Sequence, residues 1–564
     1  MKYPDLLGHD VARIGKQESQ KLNLLVGTLV TDVIKTSLGP RGMEKVFVDI
    51  QGEATMTKHG GAFLRKIDVK YPVAKTVVEA VNTVDTHVGD GTVSAAIIIG
   101  MLLKKSRELL EMGIHTATIT KGFEIGLSMA LETLSRIKKE EVVTDKETMR
   151  RLVASCLKGK AITNLISDEK AAVDMIVDAV CCVANLHKNR IDVDNIKIEE
   201  KSGNANDIKL VMGTVIDKTI DNSAMPRTLE NAKILLLNEP LETMHTKGEA
   251  EIEITTPEQM SLFIKQEIHD IRSKAKKIVD SGANVVISRK GINDVAQEYF
   301  AKHGVISLRR VKFNDIWWLE KATGAITCNN LEHISPTELG FAKHVYEKSI
   351  GGEKMVFVEG CKNPKSVTIL LRSTSKRYLD EFHRNTLNAL YVLRNFIEYP
   401  FIVRGCGSTE AILANKIRHD SHTVEGREQL VVDKFADALE AIPLTLAYNV
   451  GMNTIDTLTQ LRSKYAKTDN GSFRWYGIDS ENRRVSEINT KEAIETVVVK
   501  EQVLKTAVEA TNMILNVDDV FMKDEIDNTH CHIDGTVHAH RDGGKAHNHF
   551  EQEGLEQRQM HHYY

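Results

Sequence analysis

The spacing of apolar residues along this chain predicts a multidomain protein of mixed α and β, a helical frame with a compact α/β unit inserted into it. Three observations carry that expectation. At 564 residues the chain is too long for one hydrophobic core. Apolar positions recur at helical spacing over the first 140 residues and again after Arg372. Between those regions, short β-prone runs alternate with helical stretches.

Leu22, Leu25, Val26, Leu29, Val30 and Val33 form one apolar stripe, and the helix they imply must stop by Gly39-Pro40. Helices over Val73–Thr83 and Val93–Met112 follow, broken at Gly89-Asp90-Gly91. The middle holds strand candidates at Ile234–Leu237, Val285–Ser288, Val305–Leu308, Met355–Val358 and Val367–Leu371. Thr256, Pro257 and Gln259 form a helix start, with a hydroxyl cap, a proline in the first turn and a capping-box partner, for a helix over Glu258–Val279. Helices resume after Arg372 and run to about residue 520, so the two helical flanks are expected to fold together around the insertion. From Lys523 to Tyr564 periodicity disappears, and this polar tail is expected to be disordered.

Composition excludes several classes of function. With 74 basic and 78 acidic residues the net charge is −4, which supplies no electrostatic footprint for nucleic acid. Seven scattered cysteines form no C-x-x-C pair and no disulfide framework, as expected in a reducing, cytoplasmic setting. The longest apolar run, Val93 to Leu103, is too short to span a membrane, and the first fifteen residues lack the apolar region of a signal peptide.

No G-x-x-x-x-G-K-[ST] cradle occurs, but two other glycine turns suit phosphate. In Thr36-Ser37-Leu38-Gly39-Pro40-Arg41-Gly42 the glycines let backbone N–H groups approach an anion. In Gly89-Asp90-Gly91-Thr92 a helix start offers free N–H donors, and Asp90 is placed to hold Mg²⁺. Taken singly, each turn is ordinary turn-and-cap chemistry. Two of them, both at ends of apolar helices, point to a nucleotide.

The same residues resemble the group II chaperonins of the archaeal thermosome kind. TSLGPRGMEK (36–45) is similar to the signature T-x-L-G-P-K-G-M-D-K of that family, and VGDGT (88–92) to its second phosphate motif. Gly405-Cys406-Gly407 stands where the family carries three glycines, and Pro72 with Ala74-Lys75 where it carries H-P-A-A-K. Residues 282–324, 354–372 and 428–443 also resemble thermosome segments, so the likeness runs from about residue 10 to 520.

The resemblance implies an equatorial domain (1–143 and 400–522) that binds ATP, an intermediate domain (144–212 and 362–399), and an apical domain (213–361). The apical domain would bind unfolded client proteins and carry a lid protrusion at about 242–276. Within that protrusion Met260, Ile264, Ile268, Ile271 and Ile278 are read as helix packing before client contact. Subunits of this kind assemble into two stacked rings, homo- or hetero-oligomeric. Carried over position by position, the nucleotide set is Thr36, Leu38, Gly39, Pro40 and Gly60, then Gly91, Thr92 and Val93, with Lys160, Gly407 and Asp479 from later segments. Asp90 is the Mg²⁺ carboxylate and ATP·Mg²⁺ the expected ligand.

Two departures bear on catalysis. The family's T-N-D-G-A-T segment reads Thr57-Lys58-His59-Gly60-Gly61-Ala62 here, and its L-H-D-A-L helix reads Leu387-Asn388-Ala389-Leu390 with Thr386 before it. His59 and Asn388 therefore stand where hydrolysis would use carboxylates to orient water and accept its proton. Val93 also replaces a second Thr. Asp85, Asp380 and Glu381 are the nearby carboxylates that could stand in. Binding parts are kept and hydrolytic parts changed, so the expectation is a subunit that binds ATP and hydrolyses it slowly or not at all. The alternative is a structural or regulatory ring member assembled with active paralogues.

The tail holds eight of the 21 histidines, with H-x-H spacing at 530/532, 538/540 and 547/549. Imidazoles so spaced bind Zn²⁺, Ni²⁺ or Cu²⁺, although no tetrahedral set is visible.

Overall fold

The computed structural model describes residues 11–14, 16–166, 168–220, 222–242, 256–331, 334–362, 364–467, 474–489, 493–523, 529–531 and 537–539. The chain divides into two compact units, residues 1–22 with 517–564, and residues 23–516. In the first, Val11–Ile14 pairs antiparallel with Val520–Lys523. Thr529–Cys531 pairs antiparallel with Val537–Ala539, bringing His530 opposite His538 in the backbone register. The other tail histidines, and most of the stretch expected to be disordered, lie outside the described residues, as do residues 243–255 of the expected protrusion.

Helices in chain order are α1 (Lys16–Lys35), α2 (Gly60–Lys66), α3 (Pro72–Val88), α4 (Thr92–Glu111) and α5 (Thr116–Ile137), then α6 (Lys146–Leu157), α7 (Ala161–Leu165) and α8 (Glu169–Val183). Among the strands of the middle stand α9 (Pro257–Asp280), α10 (Asp294–Lys302) and α11 (Phe313–Thr323). The return path is α12 (Lys376–Glu398), α13 (Ser408–Asp420), α14 (Glu428–Val450), α15 (Thr454–Ala466) and α16 (Val497–Leu515).

Three main cores organise residues 23–516. The first draws Val77 and Val84 of α3, Ile98 of α4 and Phe123 of α5 together with Phe435 of α14 and Val503 of α16, so the flanks share one interior. The second packs Phe300 and Leu319 against a seven-stranded sheet through Leu235, Val286 and Val356. The third joins α6, α8 and α12 to a three-stranded sheet through Leu152, Val177, Ile369, Phe382 and Leu393. In that smaller sheet Val367–Ser373 is central, parallel to Ile196–Ser202 and antiparallel to Lys209–Val211. The larger sheet is parallel across 306–308, 285–288 and 228–237, then antiparallel through 340–350, 353–359 and 213–216.

Three features depart from the residue spacing. The helix from Leu22 ends at Lys35, before Gly39-Pro40, because Asn449 of α14 donates to the Lys35 and Leu38 carbonyls. The first 140 residues also contain a hairpin, Lys45–Val48 with Ala54–Thr57. Its Val46 and Val48 are exposed while Lys45 and Phe47 are half-buried, so burial alternates at a strand period that the residue types K-V-F-V do not display. On α9 the packing expected for Met260 and Ile264 is corrected: residues 256–266 are exposed around the whole helix, and buried packing begins at Ile271 and continues at Ile278. Ile268 is half-buried. No described helix is long and apolar enough to cross a membrane.

Candidate functional site

Four turns from distant parts of the sequence meet at one place. The turn after α1 is closed by the Met43 amide donating to Thr36 O at 2.8 Å and the Gly42 amide to Gly39 O at 3.1 Å. Lys45 Nζ donates to the Thr36 hydroxyl at 2.6 Å. Lys58, buried in the next turn, donates from Nζ to Pro40 O at 3.2 Å and Gly159 O at 2.9 Å. A Cβ at Gly159 would lie 2.1 Å from Pro40 O, so these two turns touch only because position 159 has no side chain. A Cβ at Gly60 would lie 3.0 Å from Val93 Cγ2 and 3.4 Å from Thr92 Oγ1, which seats the 57–60 turn on the start of α4.

Two helices begin here without a side-chain cap. α4 starts at Gly91 (φ 82°) and α13 at Gly407 (φ 73°), and neither glycine can occupy the first-turn amides. Such helix starts are anion sites, since their N–H groups lack intrahelical partners and carry the positive end of the helix dipole. Asp90 lies between the two glycines of the second turn.

The charges around them are interlocked. Burial disfavours the Lys160 ammonium, but the Cys156 sulfur at 3.5 Å and the carboxylates of Asp90 and Glu381 outweigh it and lift its pKa above the ordinary lysine value. Burial pushes the Cys156 thiol in turn up to about 12. Lys58 moves the other way, down to about 8, through burial and then the neighbouring Lys160 charge. Glu495 joins the 405–407 turn to this group: a Cβ at Gly405 would lie 2.7 Å from its Oε1. Its Oε2 contacts Lys500 Nζ at 2.5 Å, and Lys500 also holds Glu410 Oε1 at 2.7 Å. Burial first, then the charges of Glu410 and Asp90, raise the Glu495 carboxyl against the pull of Lys500.

The two substituted positions have definite structural jobs. His59 caps α2, its Nδ1 accepting the Ala62 amide at 3.2 Å, while Nε2 faces Asp85 Oδ1 at 3.2 Å. Asp85 Oδ2 takes Arg65 at 2.9 Å. Burial pushes the Asp85 carboxyl up, but His59 and Arg65 prevail and hold it below the usual range. Glu381, also buried, accepts from Arg384 Nε at 2.9 Å and from the Lys58 amide at 3.4 Å. Two of the three carboxylates that could stand in as a base are therefore already paired. The Asn388 side-chain amide meets two carbonyl oxygens, Gly89 O and Arg384 O, and its hydrogen bonding is satisfied when its nitrogen is turned to them, donating to each at 3.1 Å.

Asp479 stands slightly apart. Its Oδ1 accepts the amides of Glu481 and Asn482, and Oδ2 the Asn482 side chain at 2.7 Å, closing the hairpin between Tyr476–Asp479 and Arg484–Glu487. Burial raises its pKa, but those bonds outweigh it and leave the carboxyl low. Glu481 reaches Lys158 at 2.7 Å, tying the hairpin to the 158–160 turn.

Residue reading had not singled out Lys58, Glu495 or Asn449. The available signal was Lys58 itself, since a lysine inside a glycine turn that must be buried is chemically expensive. Among the described residues no group of three or more His, Cys, Asp or Glu could hold a metal unaided. Mg²⁺ bound chiefly through phosphate and water needs only a carboxylate such as Asp90.

A model described as the TCP-1/cpn60 chaperonin family matches residues 30–525. The chain belongs to that family. It is 39% identical over 525 residues to a thermosome subunit of Pyrococcus horikoshii, covering 93% of this chain and 94% of that one. It is 40% identical over 527 residues to a thermosome subunit of Methanopyrus kandleri, covering 92% and 95%. To a thermosome subunit alpha of Sulfolobus acidocaldarius it is 39% identical over 526 residues, covering 91% and 94%. All three relatives bear the name of thermosome subunits, and the chain shares their chaperonin family over most of its length.

Proposed function

We propose that the cluster of turns binds ATP with Mg²⁺, and that the assembled ring captures and encloses unfolded protein with little or no hydrolysis at this subunit's own site. The observation that carries the reading is the pair of uncapped helix starts, Gly91 of α4 and Gly407 of α13, with Lys160 and Asp90 beside them. Amides after Gly91 and in the Gly39–Gly42 turn would receive phosphate oxygens, Lys160 would add positive charge, and Asp90 would hold Mg²⁺. Bound ATP·Mg²⁺ would supply a γ-phosphoryl group open to attack by water. Orienting that water falls to groups that here do other work: His59 caps a helix, and Asn388 has no basic site.

The first core supports an equatorial assignment for 1–143 with 400–522, the third core an intermediate one for 144–212 with 362–399, and the second an apical one for 213–361. Exposed Met260, Leu262, Phe263 and Ile264 on α9 support client contact near the expected protrusion.

The test is to purify the chain alone, look for rings by electron microscopy, and measure Mg²⁺-dependent binding of a fluorescent ATP analogue and phosphate release on one sample. Rings that bind nucleotide but release phosphate roughly 10²-fold or more below an active ring are expected. Rings that ignore adenine nucleotides would overturn the reading. The regulatory alternative, favoured by the changes at His59 and Asn388, is distinguished by co-expression with an active paralogue, where mixed rings would form in preference to pure ones.

A further inference from the structure

Three consecutive carbonyls at the end of α3 are each met by a side chain of α12. Arg394 Nη2 donates to His87 O at 2.6 Å, Asn395 Nδ2 to Val88 O at 2.9 Å, and the Asn388 amide to Gly89 O at 3.1 Å. The last carbonyls of a helix have no donor within it, so α12 serves as a cap supplied from elsewhere in the fold. Gly89 has φ 70°, and its missing Cβ leaves room for Tyr391: a Cβ there would lie 2.4 Å from the ring. The left-handed turn that ends α3 and the seat of α12 are thus one fitting. α3 is buried in the first core and α12 in the third, so this polar seam is a place where two cores meet without merging.

Asn388 determines the sign of that contact. Its side-chain amide lies 3.1 Å from two carbonyl oxygens, Gly89 O and Arg384 O, and only the orientation that turns its nitrogen to them, not its oxygen, satisfies both. A carboxylate at 388 accepts only, so it would set negative charge against both oxygens and against the negative end of the α3 dipole. Closure of α12 over the 89–93 turn would then need something positive between them. With asparagine it needs nothing beyond the chain.

We propose that Asn388, with Arg394 and Asn395, latches α12 onto α3, so that this subunit stays closed over its phosphate turns throughout a nucleotide cycle. The proposal concerns regulation and rests on the reading that those turns hold nucleotide. The positioning role is separable from catalysis because it is read without turnover.

The experiment is amide hydrogen exchange on the assembled full-length chain, following peptides over 85–92 and 384–398, without nucleotide and with ATP and Mg²⁺. Wild-type protection is expected to be the same in both conditions. N388D is expected to exchange roughly ten- to a hundredfold faster without nucleotide, since both donated hydrogen bonds are lost, and N388L, which removes the donor without adding charge, to lie between. Thermal melts of both variants establish that they fold, and N388L decides the matter if N388D does not. Wild-type protection that rises tenfold on adding nucleotide, or variants that exchange like wild type, would overturn the latch. Binding of the fluorescent ATP analogue is measured on the same samples. Its absence would sink the nucleotide reading alone, because the comparison of variants without nucleotide still decides the latch.

Discussion

Nδ1 of His59 accepts the main-chain amide of Ala62 at 3.2 Å, so the imidazole caps α2 before it can do anything else. With that lone pair engaged and Nε2 directed at Asp85, the ring has no free base to offer a water. Asp is as good a helix cap, so His59→Asp keeps α2 while restoring a carboxylate. The double change H59D/N388D in assembled rings is expected to raise phosphate release by roughly 10² or more, and either single change far less, because groups acting as a unit are not additive. Single-turnover phosphate release from purified rings checks this, and no gain from the pair would refute it.

Asp85 gives the first pH dependence. Its folded pKa is held below the unfolded value, against burial, by His59 and Arg65. Its contribution to stability is therefore present above the unfolded pKa of about 4 and is lost as pH falls through the folded one. Asp85→Asn is expected to cost about 1–3 kcal/mol near neutrality, with the gap to wild type closing in acid. Denaturant midpoints measured from pH 7 downward test it; a gap that widens in acid would contradict the assignment.

Lys58 gives the opposite window. Burial and Lys160 bring its folded pKa down to about 8, while the unfolded chain keeps the proton to about 10.4. The unfolded state thus binds more protons between those values, and stability rises with pH across them. Relative to Lys58→Met, wild type is expected to gain about 1.4 kcal/mol per pH unit in that interval. A neutral amine still has two N–H groups, so the bonds to Pro40 O and Gly159 O survive the loss of charge. Melting temperatures of both proteins across the interval measure the slope, and parallel curves would exclude it.

Much of this arrangement is legible in residue order because its signals are local. Apolar stripes repeat along α3 and α4, and glycines with proline announce the turns at Gly39–Gly42 and Gly89–Thr92; on α1 the residues give a helix but the wrong face, since Leu25, Leu29 and Val33 are exposed while Leu24 and Ile34 enter the core. The hairpin over 45–57 and the strand Gly340–Ile350 escaped notice for a shared reason. Both exist through backbone pairing with partners, 228–237 and 353–359 in the second case, and in Lys45–Val48 burial alternates although apolar residue type does not. At the site, Gly159 against Pro40 and Lys58 between them are contacts across many tens of residues, which no spacing rule encodes. Resemblance to the family motif makes 388 an expected carboxylate position; only the orientation of the Asn388 amide toward Gly89 O makes it a donor.

The junction between the smaller sheet and α11 provides a last test. Lys197, on the strand Ile196–Ser202, is buried and donates from Nζ to Asp315 Oδ1 at 2.6 Å and Val215 O at 2.7 Å, with Glu199 Oε2 at 3.0 Å. The Trp318 ring lies 5.1 Å from the same ammonium, and its Nε1 donates to Asp194 O at 2.8 Å. Asp315 is buried too, so removing Lys197 strands its carboxylate away from water, whereas removing Asp315 still leaves the ammonium Glu199. Lys197→Met is therefore expected to destabilise by about 3–5 kcal/mol, whereas K197M/D315L, which also removes the stranded carboxylate and keeps volume, should recover most of it. Chemical denaturation of the three proteins decides between a pair held for its energy and one that only must not be broken. If the double variant is no better than Lys197→Met, the ion pair and its carbonyl partner fix the junction in a way apolar packing cannot replace.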